Sequence, residues 1–340
     1  MKRCLSFRSA LAVLTALLLT GFCCLVHAEA TDAQRAVLRG LARGETLPWP
    51  GISADQAAYL EQKAEKYLQA FQQDHLPHGG AADVWWTDDT RATVHLYDTL
   101  GDSACWTGHY LAALAFKYAV TKDASTLSSI QKTLDWFDML TRVSGIEGYV
   151  ARYAGPADDP AYERYYTPYK SGHFRGAPPF ENLIWLGDSS RDSYDGTRLG
   201  LVSVWTLVDD PDTHAKATLL IERILDNLIA NDWWIKDNQG HATRPTPTFQ
   251  LSYLKTALAV NPEKYKGLKP IYEDMYQSVA QREVRPLDKF RREYFAYNLD
   301  CSRLMTLNLL EKEPAKKTQY QTMTRQFFEG SVDHVNAWFA

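Results

Sequence analysis

"CWTGHYLAALAFKYAVTKD", Cys105–Asp123, and "GTRLGLVSVWTLVDDPD", Gly196–Asp212, are the two stretches on which the fold turns. With Trp106 laid over Tyr194, Gly108 falls on Gly196, Leu111 on Leu199, Leu114 on Val202, Phe116 on Val204 and Val120 on Val208. Both have the apolar spacing of a helix. Each ends in a short polar turn, "TKDAS" or "DDPDT", and a second amphipathic run follows: "STLSSIQKTLDWFDMLTRVSG" in one copy, "THAKATLLIERILDNLIANDWW" in the other. The chain therefore repeats a helical hairpin, once over Asp102–Gly145 and again from Asp188 to about Gly240.

The same period runs outward from this pair. "ADQAAYLEQKAEKYLQAFQQ" puts Ala58, Leu60, Ala64, Tyr67, Leu68 and Phe71 on one face. "FQLSYLKTALAVNPEKY", "LKPIYEDMYQSVAQRE", "FAYNLDCSRLMTLNLLEKEP" and "KKTQYQTMTRQFFEGSVDHVNAWF" add further helices, and no alternating β run is evident. Repeated hairpins that each bury one face against their neighbours form a solenoid or a closed ring. Five or six hairpins suit a ring. The expected fold is a single all-α domain over residues 29–340, an (α/α)5–6 toroid.

The N-terminus bears on compartment. Basic Lys2, Arg3 and Arg8 precede an apolar run from Ala10 to Val26 and small residues at Ala28 and Ala30. This is the pattern of a secretory signal peptide cleaved after Ala28, implying a periplasmic or secreted protein. The run is short for a membrane span. "LTGFC" approaches a lipid-anchor motif, but Phe22 before Cys23 departs from it, so membrane attachment is expected only if the chain is lipidated.

Losing that segment removes three basic residues and no acidic one from a chain of net charge −4. An acidic surface without a basic cluster argues against nucleic acid as a partner. Of five cysteines, Cys105 and Cys301 remain. They are either a disulfide or two buried thiols, because sequence gives no Cα separation.

Function concentrates where the inner helices begin. "GDSACWTGHY" and "GDSSRDSYDGTR" are equivalent loops, each with an acid, a serine, an aromatic ring and a glycine. Any one aspartate there is a good helix cap. Asp188, Asp192 and Asp195 together exceed what one helix start can use. Two acid-bearing loops on one cleft supply a general acid and base for glycoside chemistry. Asp102, Asp188 and Asp192 are the candidate catalytic carboxylates. Trp86, Trp106, His109, Arg152, Arg191, Tyr194, Asp195 and Arg198 are the candidate substrate contacts.

The connection "YVARYAGPADDPAYERYYTPYKSGHFRGAPPFENLIWLGD" is long enough to be a lid or binding loop. Its aromatic rings suit both stacking on sugar and covering the ring's mouth. Arg152, Arg164, Lys170 and Arg175 are placed to meet an acidic sugar. In "VWWTDDTRATVHLYDTLGD", Trp85, Trp86, Asp88 and Asp89 form a second candidate wall. No HExxH occurs, and no P-loop, GxGxxG or GxSxG stands in a fitting context, so no metal, nucleotide or other cofactor is expected.

"CWTGHYLAALAFKYAVTKD" resembles the helix entry of the six-hairpin glycosidases, notably the unsaturated glucuronyl and rhamnogalacturonyl hydrolases. The second copy is similar to a group of secreted or surface bacterial proteins of unsettled function, marked by G-D-T-S-S-D and a V-D-x-D-G-K-P-T-R-W tail. Gly187, Asp188, Ser189, Ser190, Asp192 and Gly196 match the first part; Asp237, Gly240, Thr243 and Arg244 match the second. "TRVSGIEGYVARY" resembles another segment of that group, so the likeness spans Thr93 to Thr246. It implies the toroid and a carbohydrate cleft. The second catalytic-aspartate motif of the glucuronyl hydrolases has no clean counterpart, so their vinyl-ether hydration is not implied. The expectation is a secreted glycoside hydrolase or lyase acting on an oligo- or polysaccharide. The alternatives are an envelope protein that binds a glycan or peptide in the same cleft, or a scaffold for a protein partner.

Overall fold

The computed structural model describes residues 54–163, 172–280 and 294–331. The signal segment, Arg164 and Lys170 lie outside the described residues. The described chain is mostly helical: α1 (Ala54–Asp74), α2 (Ser103–Thr121), α3 (Ala124–Leu140), α4 (Arg191–Leu207), α5 (Pro211–Ala230), α6 (Pro247–Val260), α7 (Lys269–Ala280), α8 (Tyr294–Leu310) and α9 (Pro314–Ser331). The polar turns fall where the repeat puts them. Asp123 caps α3 through the Ser125 and Thr126 amides, and Asp210 caps α5 through Thr213, with Pro211 in the first turn.

Among the described residues these form four hairpins, α2/α3, α4/α5, α6/α7 and α8/α9, with α1 preceding them. The first member of each pair lies inside and the second outside. α4 packs on α2, α6 and α8 as well as on its own partner α5, while α3 meets α5 and α7 meets α9. The inner position is written in burial: every side chain from Ser193 to Val204 is buried. A helix surrounded in this way has no solvent-facing stripe, so its polar residues, Asp195 and Arg198 among them, are buried with the apolar ones.

The contact between α2 and α4 is the most extensive between helices, and glycine makes it possible. A Cβ on Gly108 would lie 2.1 Å from the Gly196 carbonyl oxygen, and one on Gly196 would lie 2.3 Å from that of Cys105. One on Gly200 would lie 2.6 Å from the oxygen of Gly108. Because contacts advance together along both chains, the two helices run parallel and begin side by side. The residues that superpose in the repeat, Gly108 and Gly196, are the ones that touch.

Two expectations need correction, and the open alternative for the cysteines is decided. Short strands are present: β1 (Asp83–Trp86) pairs with β2 (Val94–Asp98), β3 (Tyr153–Pro156) and β4 (His173–Arg175) flank β5 (Leu183–Leu186), and β6 (Ile235–Lys236) pairs with β7 (Ala242–Thr243). At two to five residues they are too brief for an alternating pattern to register. The long connection between the repeats is thus partly a three-stranded sheet rather than an open loop. Cys105 and Cys301 are free buried thiols, with α4 interposed between α2 and α8. Among the described residues no helix is long and apolar enough to cross a membrane.

Replacing Gly108 with alanine should lower stability to urea unfolding by about 3 kcal/mol or more, since backbone would have to separate. Gly267→Ala, at a position with open space around the added methyl, should change it by no more than about 0.5 kcal/mol.

Candidate functional site

The parallel start of α2 and α4 brings their entry loops together. Asp102 precedes α2 without capping it by its side chain, whereas Ser190 caps α4 by accepting the Ser193 amide. The aspartates of both loops are thereby released from capping. Asp192 stands in the first turn of α4 and Asp195 three residues deeper.

A short crossing segment wires the loops to each other. Tyr149 Oη accepts the Ser189 amide at 3.0 Å, and the Val150 amide donates to Tyr194 Oη at 3.1 Å. Arg152 Nε donates to the Asp188 carbonyl at 2.7 Å and its Nη1 to the Gly101 carbonyl at 2.8 Å. The Arg152 carbonyl accepts the Ala104 amide at 2.9 Å. One residue thus holds both helix entries, and its Nη1 also lies 3.9 Å from Asp102 Oδ1.

The electrostatics single out two carboxylates. Burial raises the Asp102 carboxyl above its ordinary range, with Arg152 opposing. Asp192 is raised by burial, then by Asp195 and Asp102, against Arg303 and Arg152. Asp192, Asp102 and Asp195 all act on Cys105, whose thiol burial already pushes up, so the three converge on one point at the top of α2.

Beneath them lies a closed ion network. Asp195 accepts from Arg198 Nη1 at 2.7 Å and from Arg303 Nη2 at 2.5 Å, and Arg303 Nη1 donates to Asp300 at 2.8 Å. The Asp195 side chain is fully buried, Arg198 is 1% exposed and Arg303 is 7% exposed. Pairing of this kind is what allows charge to persist in an interior.

The candidate residues divide accordingly. Asp102, Asp192, Arg191 and Trp106 are partly exposed around the α2 and α4 entries, and Trp106 follows Asp102 by one turn on the same face. Asp188 contributes its backbone, in a left-handed conformation with φ 50°, while its residue faces solvent. Tyr194, Asp195, Arg198 and His109 are corrected as substrate contacts, because all four are sealed from solvent. His109 Nδ1 meets the Cys105 carbonyl at 2.9 Å, and burial lowers its pKa, favouring the neutral ring. Arg152 is bound to protein carbonyls, and Arg175 is exposed on β4. Trp86 belongs to the β1–β2 hairpin, in a hollow that includes none of the carboxylates just described.

Sequence reasoning missed Asp300, Arg303 and the support behind Asp188. Asp300 and Arg303, one turn apart in an otherwise uncharged inner helix, were the available signal. Asp237 was noticed only as part of a motif. Its buried carboxylate accepts the amides of Asp188, Gln239 and His241 and, at 2.8 Å, His241 Nδ1, so the β6–β7 turn holds the α4 entry from outside. Among the described residues no group of three His, Cys, Asp or Glu side chains is placed to hold a metal ion. No family model, curated protein or solved structure matches the chain.

Asp192→Asn should make the protein more stable than wild type near pH 7. A carboxyl raised on folding binds more protons in the native state, so its contribution declines as pH rises from the unfolded value through the folded one, and the amide escapes that decline. Thermal melts from acid to neutral pH should show the two proteins converging in acid. Asp195→Asn, which strands buried guanidinium groups, should instead lose about 3–5 kcal/mol.

Proposed function

We propose that this is a carbohydrate-active protein, a glycoside hydrolase or lyase, in which Asp102 and Asp192 are the working carboxylates. The observation that carries this is their shared situation: both are half-buried, both are raised by burial, and both stand at the entries of neighbouring parallel helices framed by Arg152. Cleavage of a glycosidic bond needs one carboxyl that keeps its proton and another that is charged. Mutual repulsion in a partly desolvated site favours that single-proton state.

Asp192 is the better general acid, since two carboxylates as well as burial favour its protonated form. Asp102, with Arg152 beside it, is the better base or nucleophile. Trp106 offers an aromatic face next to the pair, and Arg191 a guanidinium at the rim. The double layer of hairpins supports an (α/α) toroid whose inner-helix entries form the cleft. The leader pattern supports export to the periplasm or beyond, where oligo- and polysaccharides are available as substrate.

The mature chain should be screened by thermal shift against neutral and acidic oligosaccharides, with product analysis of each hit. Stabilisation with product is the expected result. Asp192→Asn and Asp102→Asn should each retain binding and fold while reducing kcat by roughly 10²–10⁴, the usual worth of a general acid or base. The wild-type rate should fall on the alkaline side as the raised carboxyl loses its proton. Stabilisation without product from any sugar would instead establish a glycan-binding protein.

A further inference from the structure

The ion network below the site gives the register of α8 against α4. Arg303 Nη2 donates to Asp195 Oδ2 at 2.5 Å and, three residues on in both helices, Arg198 Nε donates to Thr306 Oγ1 at 3.4 Å. α8 therefore runs parallel to α4, and three residues earlier in each, Asp300 stands level with Asp192. Residues three apart share a helix face, so these two aspartates lie on the faces that α4 and α8 turn to each other. Arg303 lowers the Asp192 carboxyl, which puts the α8 entry within electrostatic reach of the site. The carboxylates at the mouth thus come from three inner helices, α2, α4 and α8.

Asp300 differs from Asp195 in having capacity left over. Its side chain is 27% exposed, Oδ1 accepts from Arg303 Nη1 at 2.8 Å, and Oδ2 has no partner among the described residues. Burial raises this carboxyl, while Arg303 opposes the rise and fixes its orientation. Two residues earlier, Asn298 is 1% exposed and neither atom of its amide is bonded, whereas Ser302 and Thr306, which follow it along one stripe, bond carbonyls of their own helix. The α8 entry therefore carries hydrogen-bonding groups that the folded chain leaves unfilled, an exception to the pairing that interiors enforce.

The guanidinium groups around the mouth are already engaged: Arg152 by the Gly101 and Asp188 carbonyls, Arg191 by the Arg244 carbonyl, and Arg303 by Asp195 and Asp300. A carboxylate held by an arginine, with one oxygen open, accepts from hydroxyl donors and repels a second carboxylate. We propose that Asp300 is a substrate-binding residue of the cleft, accepting hydroxyls of a neutral sugar held at Asp102 and Asp192. It rests on the carbohydrate reading of the chain and narrows that reading to neutral sugars.

The test titrates the mature Asp192→Asn chain, so that sugar is not consumed, with cellohexaose, chitohexaose and hexagalacturonate by calorimetry, alone and combined with Asp300→Asn or Asp300→Glu. A neutral hexasaccharide should bind the Asp192→Asn chain, and Asp300→Asn should weaken it about tenfold or more, as loss of a hydrogen bond to a charged group does. Hexagalacturonate should bind more weakly than the neutral sugar, and Asp300→Asn should narrow that gap. Asp300→Glu, which keeps a charge for Arg303 but displaces it by one methylene, should also weaken the neutral sugar without lowering the melting temperature, and it decides the matter if the asparagine variant does not fold. Full neutral-sugar affinity in either variant, or tighter binding of the uronate by the Asp192→Asn chain, would overturn the proposal. So would an equal loss for neutral and acidic sugars with a fall in melting temperature, which would show that Asp300 matters only as a partner for Arg303. Turnover of the same sugars by wild type is measured in parallel. Neutral-sugar binding indifferent to Asp300 sinks this assignment alone, binding that depends on Asp300 without turnover sinks the catalytic reading alone, and no binding of any of the three sinks both.

Discussion

The close approach of α2 to α4 is the constraint on which the rest depends. Gly108, Gly196 and Gly200 let two backbones come nearer than any side chain would permit. That closeness locks the two parallel helices in register with their first turns side by side. Asp102 and Asp192 owe their proximity to it, and so does the bridge from Arg152 to the Gly101 and Asp188 carbonyls. A site assembled from two loops could drift apart, but glycine contacts below and an arginine bridge above hold this one.

Charge is layered along α4. Its first turn carries Asp192, partly exposed and raised; its second carries Asp195, buried and satisfied by Arg198 and Arg303. The lower layer shapes the upper, because Asp195 raises Asp192 while Arg303 lowers it. The network thus joins α8 to α4 and also tunes the carboxyl above it. Four aspartates near one helix start do different work: Asp188 turns the chain, Asp192 faces the site, Asp195 is locked inside, and Asp102 answers from the neighbouring helix.

Much of this was legible in the sequence. The hairpin repeat, its polar turns and the concentration of acids at the inner-helix entries all follow from spacing and residue type. The pairing of Gly108 with Gly196 appeared as an alignment and proved to be a contact. Burial depth was not legible, because Asp192 and Asp195 differ by less than one turn and only the position of α8 decides which is sealed. The role of Arg152 was missed for a similar reason. Its partners are backbone carbonyls, which leave no trace in residue identity. The strands escaped notice because pairs such as Ile235–Lys236 are shorter than any period can reveal.

Asp102 and Asp192 share a site in which burial raises both carboxyls and Arg152 opposes the rise. Carboxyl ¹³C NMR titration of the two side chains, in wild type and in Arg152→Met, tests it without knowledge of any substrate. The account predicts that both carboxyls titrate above the ordinary aspartate range, that each responds to the other, and that removing Arg152 moves both higher. Two independent titrations in the ordinary range, unmoved by Arg152→Met, would contradict it.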